Sequence, residues 1–126
     1  MRGNAGFTLI ELILVTVIIG ILAGMVTLTF AGRTEEARVG RARADLVRYQ
    51  DAVDLYAIDH NDKYPGSLSE LKGGERDYVR KVAKDPWGNE YVYVQPGKHN
   101  KKGYDIFSSG PDKQSGTEDD INSWDE

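Results

Sequence analysis

The chain has 126 residues, no cysteine, and 20 acidic against 16 basic side chains, for a formal net charge of −4. That length is a prior for one domain. The missing cysteine excludes a disulfide framework and any thiolate ligand or nucleophile, and the acidic balance argues against nucleic acid as the main partner. Apolar residues are unevenly spread. Residues 7–32 hold one ionisable side chain, Glu11, whereas 33–126 carry every other acidic residue and every basic residue but Arg2.

As a helix, residues 7–32 would span about 39 Å at ~1.5 Å per residue, enough to cross ~30 Å of hydrocarbon with tilt or overhang. An ordinary secretory signal has an apolar core of only ~7–15 residues followed by a small-x-small cleavage site. Here the run is longer, that site is missing, and Glu11 lies inside. A simple membrane anchor with Arg2 inside explains the length and the orientation but not Glu11. A carboxylate held at mid-helix in hydrocarbon costs roughly 2.5–3.5 kcal/mol, which marks it as functional. Gly20 and Gly24 form a small-xxx-small pair that lets helices approach closely.

The stretch GFTLIELILVTVIIGILAG resembles the class III signal of type IV pilins and type II secretion pseudopilins: a short leader ending in glycine, then Phe-Thr-Leu-Ile-Glu and a hydrophobic helix. The resemblance implies that a prepilin peptidase cuts after Gly6 and that Phe7 becomes the N-methylated amino terminus. Cleavage would put a new amine beside the level of the Glu11 carboxylate. The amine of one subunit and Glu11 of a neighbour would neutralise each other as helices stack with an axial offset. Either charge alone would be stranded, so the pair rewards one register and penalises others. An uncut chain carries an amide at Phe7 and offers Glu11 no such partner. Leu28 departs from the proline that many members of this family carry, a difference that bears on helix melting during assembly.

Beyond Gly32 the apolar pattern continues as Val39, Ala42, Leu46, Tyr49, Val53 and Tyr56, at intervals of three and four. This predicts an amphipathic helix to about residue 60, continuous with the apolar segment because Gly32 and Gly40 weaken a helix without ending it. The stripe is short for a coiled-coil seam, so it is expected to pack on the chain's own C-terminal lobe. Arg33, Arg38, Arg41, Arg43 and Arg48, interspersed with Glu35, Glu36 and Asp45, read as a solvated, salt-bridged face just outside the bilayer, compatible with contact to lipid headgroups. HNDKYPG ends the helix, because Pro65 pushes Tyr64 out of helical geometry. Asp59, His60 and Asp62 read as a polar helix terminus rather than a metal site.

In the lobe, Ser67 and Glu70 predict a capping box for a short helix over 67–72. KDPWGNEYVYV predicts a turn at 86–89 and a strand at 90–94, separated by a Gly/Lys-rich loop, 95–103, from a second strand at 104–108. Trp87 and the alternating Tyr and Val residues are expected in the core and on the sheet face. SSGPDKQSGTEDDINSW then gathers Asp112, Glu118, Asp119 and Asp120 on one loop. Carboxylates this dense repel unless water or a cation screens them. Ca²⁺ suits such a loop because it accepts many oxygens in flexible geometry, although Asp119 and Asp120 can share an ion only across a bend. The loop is not an EF-hand. Its residues leave two readings open, a calcium site and a solvated acidic tail. The lobe's small size without a disulfide favours the metal, which often supplies stability in such domains.

The segments DPWGNEYVY, DIFSSGPDKQSGTEDDI and NSW resemble the major pseudopilin of type II secretion, whose C-terminal loop binds one structural calcium. With the N-terminal signal, the similarity runs over nearly the whole chain. It implies carboxylate ligands at Asp112, Asp119 and Asp120 and backbone-carbonyl ligands at Ser109 and Gln114, with Glu118 outside the set. It implies an α+β, type IV pilin-like fold: a leader (1–6), a transmembrane and filament-core helix segment (7–32), its amphipathic continuation (33–63), and a C-terminal lobe with a short antiparallel sheet and the acidic loop (64–126). The implied function is structural and not enzymatic. The chain would be the main subunit of a type II secretion pseudopilus, polymerising through its N-terminal helix to drive export of folded periplasmic proteins. Its implied partners are further copies, minor pseudopilins, an inner-membrane assembly platform and the prepilin peptidase, with a single-pass inner-membrane anchor and a periplasmic lobe. No nucleophile accompanies the carboxylates, and His60 and His99 lack a catalytic context. The alternatives are a type IV pilin or DNA-uptake pseudopilin, though many pilins close this region with a disulfide, and a solitary membrane-anchored calcium-binding domain.

Overall fold

The structure, a computed structural model, describes residues 3 and 5–125, with side chains throughout except at 28–31. Expectations resting on Arg2 and on the side chain of Leu28 therefore lie outside the described residues. The chain divides into two compact units, up to Glu36 and from Ala37 onward. One helix, α1 (Leu9–Asp59), contributes to both. It ends at Asp59, beside the residue 60 expected from the apolar spacing and inside the 33–63 segment.

In the first unit, α1 buries none of the large apolar side chains among the described residues. Their exposure runs from 86% at Phe7, just before the helix, down to 48% at Ile18. The segment is long and apolar enough to cross a membrane. Two of its hydroxyls are satisfied within the helix: Thr16 Oγ1 donates toward the carbonyls of Leu12 (3.0 Å) and Ile13 (2.8 Å), and Thr27 Oγ1 toward those of Ala23 (3.3 Å) and Gly24 (2.8 Å). Such internal bonding is what a spanning helix requires, since lipid offers no partner.

In the second unit, α1 turns Ala42, Leu46, Tyr49, Ala52, Val53 and Ala57 into the core, against Leu68, Leu71, Val79, Tyr91 and Ile106. This is the face read from the sequence, with Val39 and Tyr56 only half-buried at its ends. The stripe packs on the chain's own lobe, as expected. The Tyr49 hydroxyl closes both backbone groups of Ala83, donating to its carbonyl (3.2 Å) and accepting from its N–H (2.8 Å). The Tyr91 hydroxyl donates to Asp45 (2.9 Å), which also draws in Arg41 and Arg48 at 3.8 and 3.3 Å. Burial first, then the adjacent Asp45 carboxylate, push the Tyr91 phenol well above its ordinary range. Leu46, 2% exposed, sits at the centre of this contact. Leu46→Ala is expected to cost ~2–5 kcal/mol, read as a lower urea midpoint for the full chain in detergent.

The helix closes with Asn61 and Asp62 in the left-handed region (φ 57° and 62°), where short polar side chains are tolerated. The Asp62 N–H reaches back to the Ala57 carbonyl (2.8 Å). The His60 ring stacks on Tyr56, with centroids 3.9 Å apart, and its Nδ1 lies 2.8 Å from the Tyr56 carbonyl. Asp59 holds Arg76 (3.1 Å) and the Tyr78 hydroxyl (2.9 Å). This polar cluster serves the helix end.

The short helix expected over 67–72 is a single 3-10 turn, Leu68–Leu71, and the capping box does not form. The Ser67 hydroxyl pairs with Ser69 (2.7 Å), and Glu70 accepts the Gly66 N–H (3.0 Å). The tighter winding eclipses residues three apart, which sends Leu68 and Leu71 together into the core.

Three strands follow, β1 (Val92–Val94), β2 (Asp105–Ser108) and β3 (Ile121–Asn122), antiparallel in the order β1-β2-β3. The register pairs Tyr93 with Ile106, and Ser108 with Ile121. β1 and β2 start slightly later than expected, and β3 was not anticipated. Its two residues show no periodicity and gain their definition from pairing with β2.

The loop between β1 and β2 is held by Asp105, 4% exposed, which accepts the N–H groups of His99 (2.7 Å) and Asn100 (2.9 Å). Burial opposes its ionisation, but the backbone donors of His99, Asn100 and Lys98 outweigh it and hold the carboxyl below the usual aspartate range. A carboxyl depressed in the folded state stabilises above its unfolded pKa and loses that contribution as pH falls through the folded value. Asp105→Asn is therefore expected to lower stability at pH 7 and to flatten the loss of stability on acidification below the ordinary aspartate range, as read by circular dichroism melts across pH.

Candidate functional site

The connection from β2 to β3 is the acidic loop, and its path depends on glycine. Gly110 has φ 66°, and a Cβ there would overlap the backbone carbonyl of Asp119. Gly116 also has positive φ, 89°. The tight path lets the carboxylates organise their own backbone. Asp112 accepts the Gln114 N–H (2.9 Å), Asp119 accepts the Asp112 N–H (3.0 Å), and Asp120 accepts the Gly116 N–H (2.7 Å). A turn with Asp120 N–H on the Thr117 carbonyl (3.3 Å) supplies the bend that adjacent aspartates need to face one point.

Carboxylate oxygens of Asp112, Asp119 and Asp120 lie within 4.8 Å of one another. The three carboxylates named from the sequence are thus brought together, and Glu118 stands apart from them, exposed. Thr117 Oγ1 sits among their oxygens, 2.6 Å from Asp119 Oδ1, 3.3 Å from Asp120 Oδ1 and 3.0 Å from the Gln114 carbonyl. One hydroxyl carries one proton, so it satisfies only one of these three acceptors at a time. The Thr117 hydroxyl, followed by the Asp112 N–H, holds the Asp119 carboxyl below the usual range. Gln114 contributes its carbonyl to this cluster. Ser109, buried, stands at the loop's entry with its hydroxyl on Ser115 (3.0 Å).

Such a donor set fits a hard divalent cation. It is all oxygen, three of its members are anionic, and no ion pair of the described residues supplies a counter-charge. Calcium tolerates the uneven spacing of a loop, whereas metals that favour thiolate or imidazole find no ligand here.

The second site is the head of α1. The Thr8 N–H donates to Glu11 Oε2 (3.0 Å), and the Glu11 N–H donates to Thr8 Oγ1 (3.3 Å). This is a reciprocal capping box, which the sequence reading missed although Thr-x-x-Glu before an apolar run is its signature. Glu11 therefore has a partner inside its own chain before any other subunit is considered. Gly6 and Phe7 lie just ahead of the helix and are exposed.

Comparison with known proteins places these features in context. Residues 29–124 match the family model described as type II secretion system protein G, and residues 1–27 match the prokaryotic N-terminal methylation motif. The chain is 39% identical to the type II secretion system core protein G of Escherichia coli K12, over 94% of this chain and 90% of that protein. It is 37% identical to the protein of the same name from Vibrio cholerae, over 98% and 94% respectively. The crystal structure of the major pseudopilin from the type 2 secretion system of enterohaemorrhagic E. coli superposes with a TM-score of 0.64 at 34% identity, covering 74% of this chain and 87% of that one.

Proposed function

The chain belongs to the type II secretion system protein G family, and on that premise we propose that it is the main repeating subunit of a secretion pseudopilus, built by polymerisation through its N-terminal helix. The observation that carries this reading is the exposure of every described large apolar side chain in the apolar part of α1. Burying apolar surface is worth about 25 cal/mol per Å², so this segment is stable only in lipid or against like helices. Both environments are used in turn: the inner membrane stores the subunit, and the filament core takes it up.

Processing makes the second environment selective. Cleavage between Gly6 and Phe7 by a prepilin peptidase exposes an amine, which is then methylated. Glu11 of a neighbouring copy neutralises that amine when the helices stack in register. The Thr8 cap uses one Glu11 oxygen and fixes the side chain near the helix start, leaving the other oxygen for the pair.

The acidic loop is the second element of the proposal. Asp112, Asp119 and Asp120 hold one calcium ion, with the carbonyls of Ser109 and Gln114 as further ligands. Calcium supplies the positive charge that three converging carboxylates lack. The loop joins β2 to β3, so holding it stabilises the sheet face that the lobe presents. The lobe stands in the periplasm, where minor pseudopilins and an inner-membrane assembly platform meet the growing filament.

Co-expression with a complete set of secretion genes tests the assembly. Filaments recovered by shearing and labelled by antibody against the lobe are expected in electron micrographs. A signal confined to the membrane fraction would instead indicate a solitary anchored domain.

A further inference from the structure

A buried carboxylate outside the acidic loop is tied to the loop's first residues. Asp85 is 4% exposed and Ser108 fully buried. Asp85 Oδ1 accepts the N–H groups of Trp87 (3.1 Å) and Asn89 (2.8 Å), closing the turn at 86–89. Its other oxygen, Oδ2, accepts the Ser108 hydroxyl at 2.7 Å. Because that proton is committed to Asp85, a lone pair of Ser108 Oγ is left to accept the Gly110 N–H, at 3.2 Å. Gly110 is the residue whose Cα lies against the Asp119 backbone and whose carbonyl accepts the Lys113 N–H (3.3 Å). A directional chain thus runs from the Asp85 carboxylate through one hydroxyl to the amide at the loop's entry. Its members are buried, where a hydrogen bond to a charged acceptor is strong and specifies geometry.

We propose that Asp85 and Ser108 are positioning residues for the acidic loop: they fix the orientation of its entry at Ser109 and Gly110, and so set its affinity for a divalent cation. This rests on the calcium reading given above. Neither side chain touches the ion; each acts through Gly110. Groups that orient metal ligands from one layer out typically contribute about 10–100-fold in affinity.

The test uses the full chain in detergent, with calcium chloride as the probe. Isothermal titration gives the Kd, and thermal melts with and without calcium give the calcium-dependent rise in Tm. Ser108→Ala is expected to weaken binding about tenfold and to shrink that rise. Val53→Ala, a core truncation remote in sequence from this chain of bonds, is expected to lower the calcium-free Tm while keeping the wild-type Kd. Asp85→Asn provides a second variant of nearly the same size, should Ser108→Ala not fold. The double variant is expected to bind no more weakly than the worse single one, because both break one relay. A wild-type Kd in Ser108→Ala, or in Asp85→Asn where that variant carries the test, with only the calcium-free Tm lowered, would overturn the proposal. Absence of any calcium response in the wild-type chain would remove the calcium reading itself and this inference with it.

Discussion

Glu11→Ala is expected to leave leader cleavage intact and to reduce the yield of sheared filaments by at least about tenfold, a factor that corresponds to only ~1.4 kcal/mol. Stranding one charge of a buried pair costs ~3–5 kcal/mol, and the loss recurs at every subunit added. The capping box complicates this result, because alanine also removes the acceptor for the Thr8 N–H. Loss of a cap costs ~1 kcal/mol, enough to fray the first turn. Glu11→Gln separates the two effects. Glutamine completes the same box but carries no charge, so the register pair predicts that Glu11→Gln assembles as poorly as Glu11→Ala. Wild-type filament yield from Glu11→Gln would show that the cap alone is what assembly needs.

Calcium removal is expected to have the largest effect on the lobe. A ligand present at a hundred times its Kd stabilises the folded state by ~2.7 kcal/mol. In a unit this small, that raises Tm by on the order of 10 °C. The full chain in detergent is therefore expected to melt that much higher in millimolar calcium than in chelator. Asp119→Ala is expected to abolish the difference. Asp119 is the choice because it faces both Thr117 and the Asp112 backbone, so no neighbour replaces it. An identical Tm with and without chelator in the wild-type chain would reject the metal site.

The helix and its buried face were legible in the sequence because both follow from spacing alone. An uninterrupted apolar run and the recurrence of Leu46, Tyr49 and Val53 need no knowledge of what lies opposite. Loop glycines and adjacent acids placed four carboxylates on one loop, whereas the choice of Asp112, Asp119 and Asp120 without Glu118, the three whose oxygens converge, came from the family resemblance. What escaped depends on distant partners or on competition between local options. β3 exists only because Ser108 and Phe107 offer it a ladder. The turn at 68–71 tightened because two leucines had to reach the core together, and Glu70 chose the Gly66 amide over the expected box. Asp85 received no reading of its own beside the turn at 86–89, since its link to Ser108 crosses 23 positions of sequence. Thr8 and Glu11 are different. Their capping signature was in plain view, and the unusual position of the carboxylate in an apolar run drew attention to other copies of the chain before its own backbone.

The proposed use of Glu11 requires that the chain acquire a new amine at Phe7. Intact-mass and fragment-ion spectrometry of the protein recovered from membranes that carry the processing peptidase tests this most directly. The predicted mature chain begins at Phe7, lacks residues 1–6 and bears a methyl group on its amino nitrogen. A chain that retains Met1 through Gly6 would leave Glu11 with its Thr8 cap alone and would contradict assembly by an amine–carboxylate register.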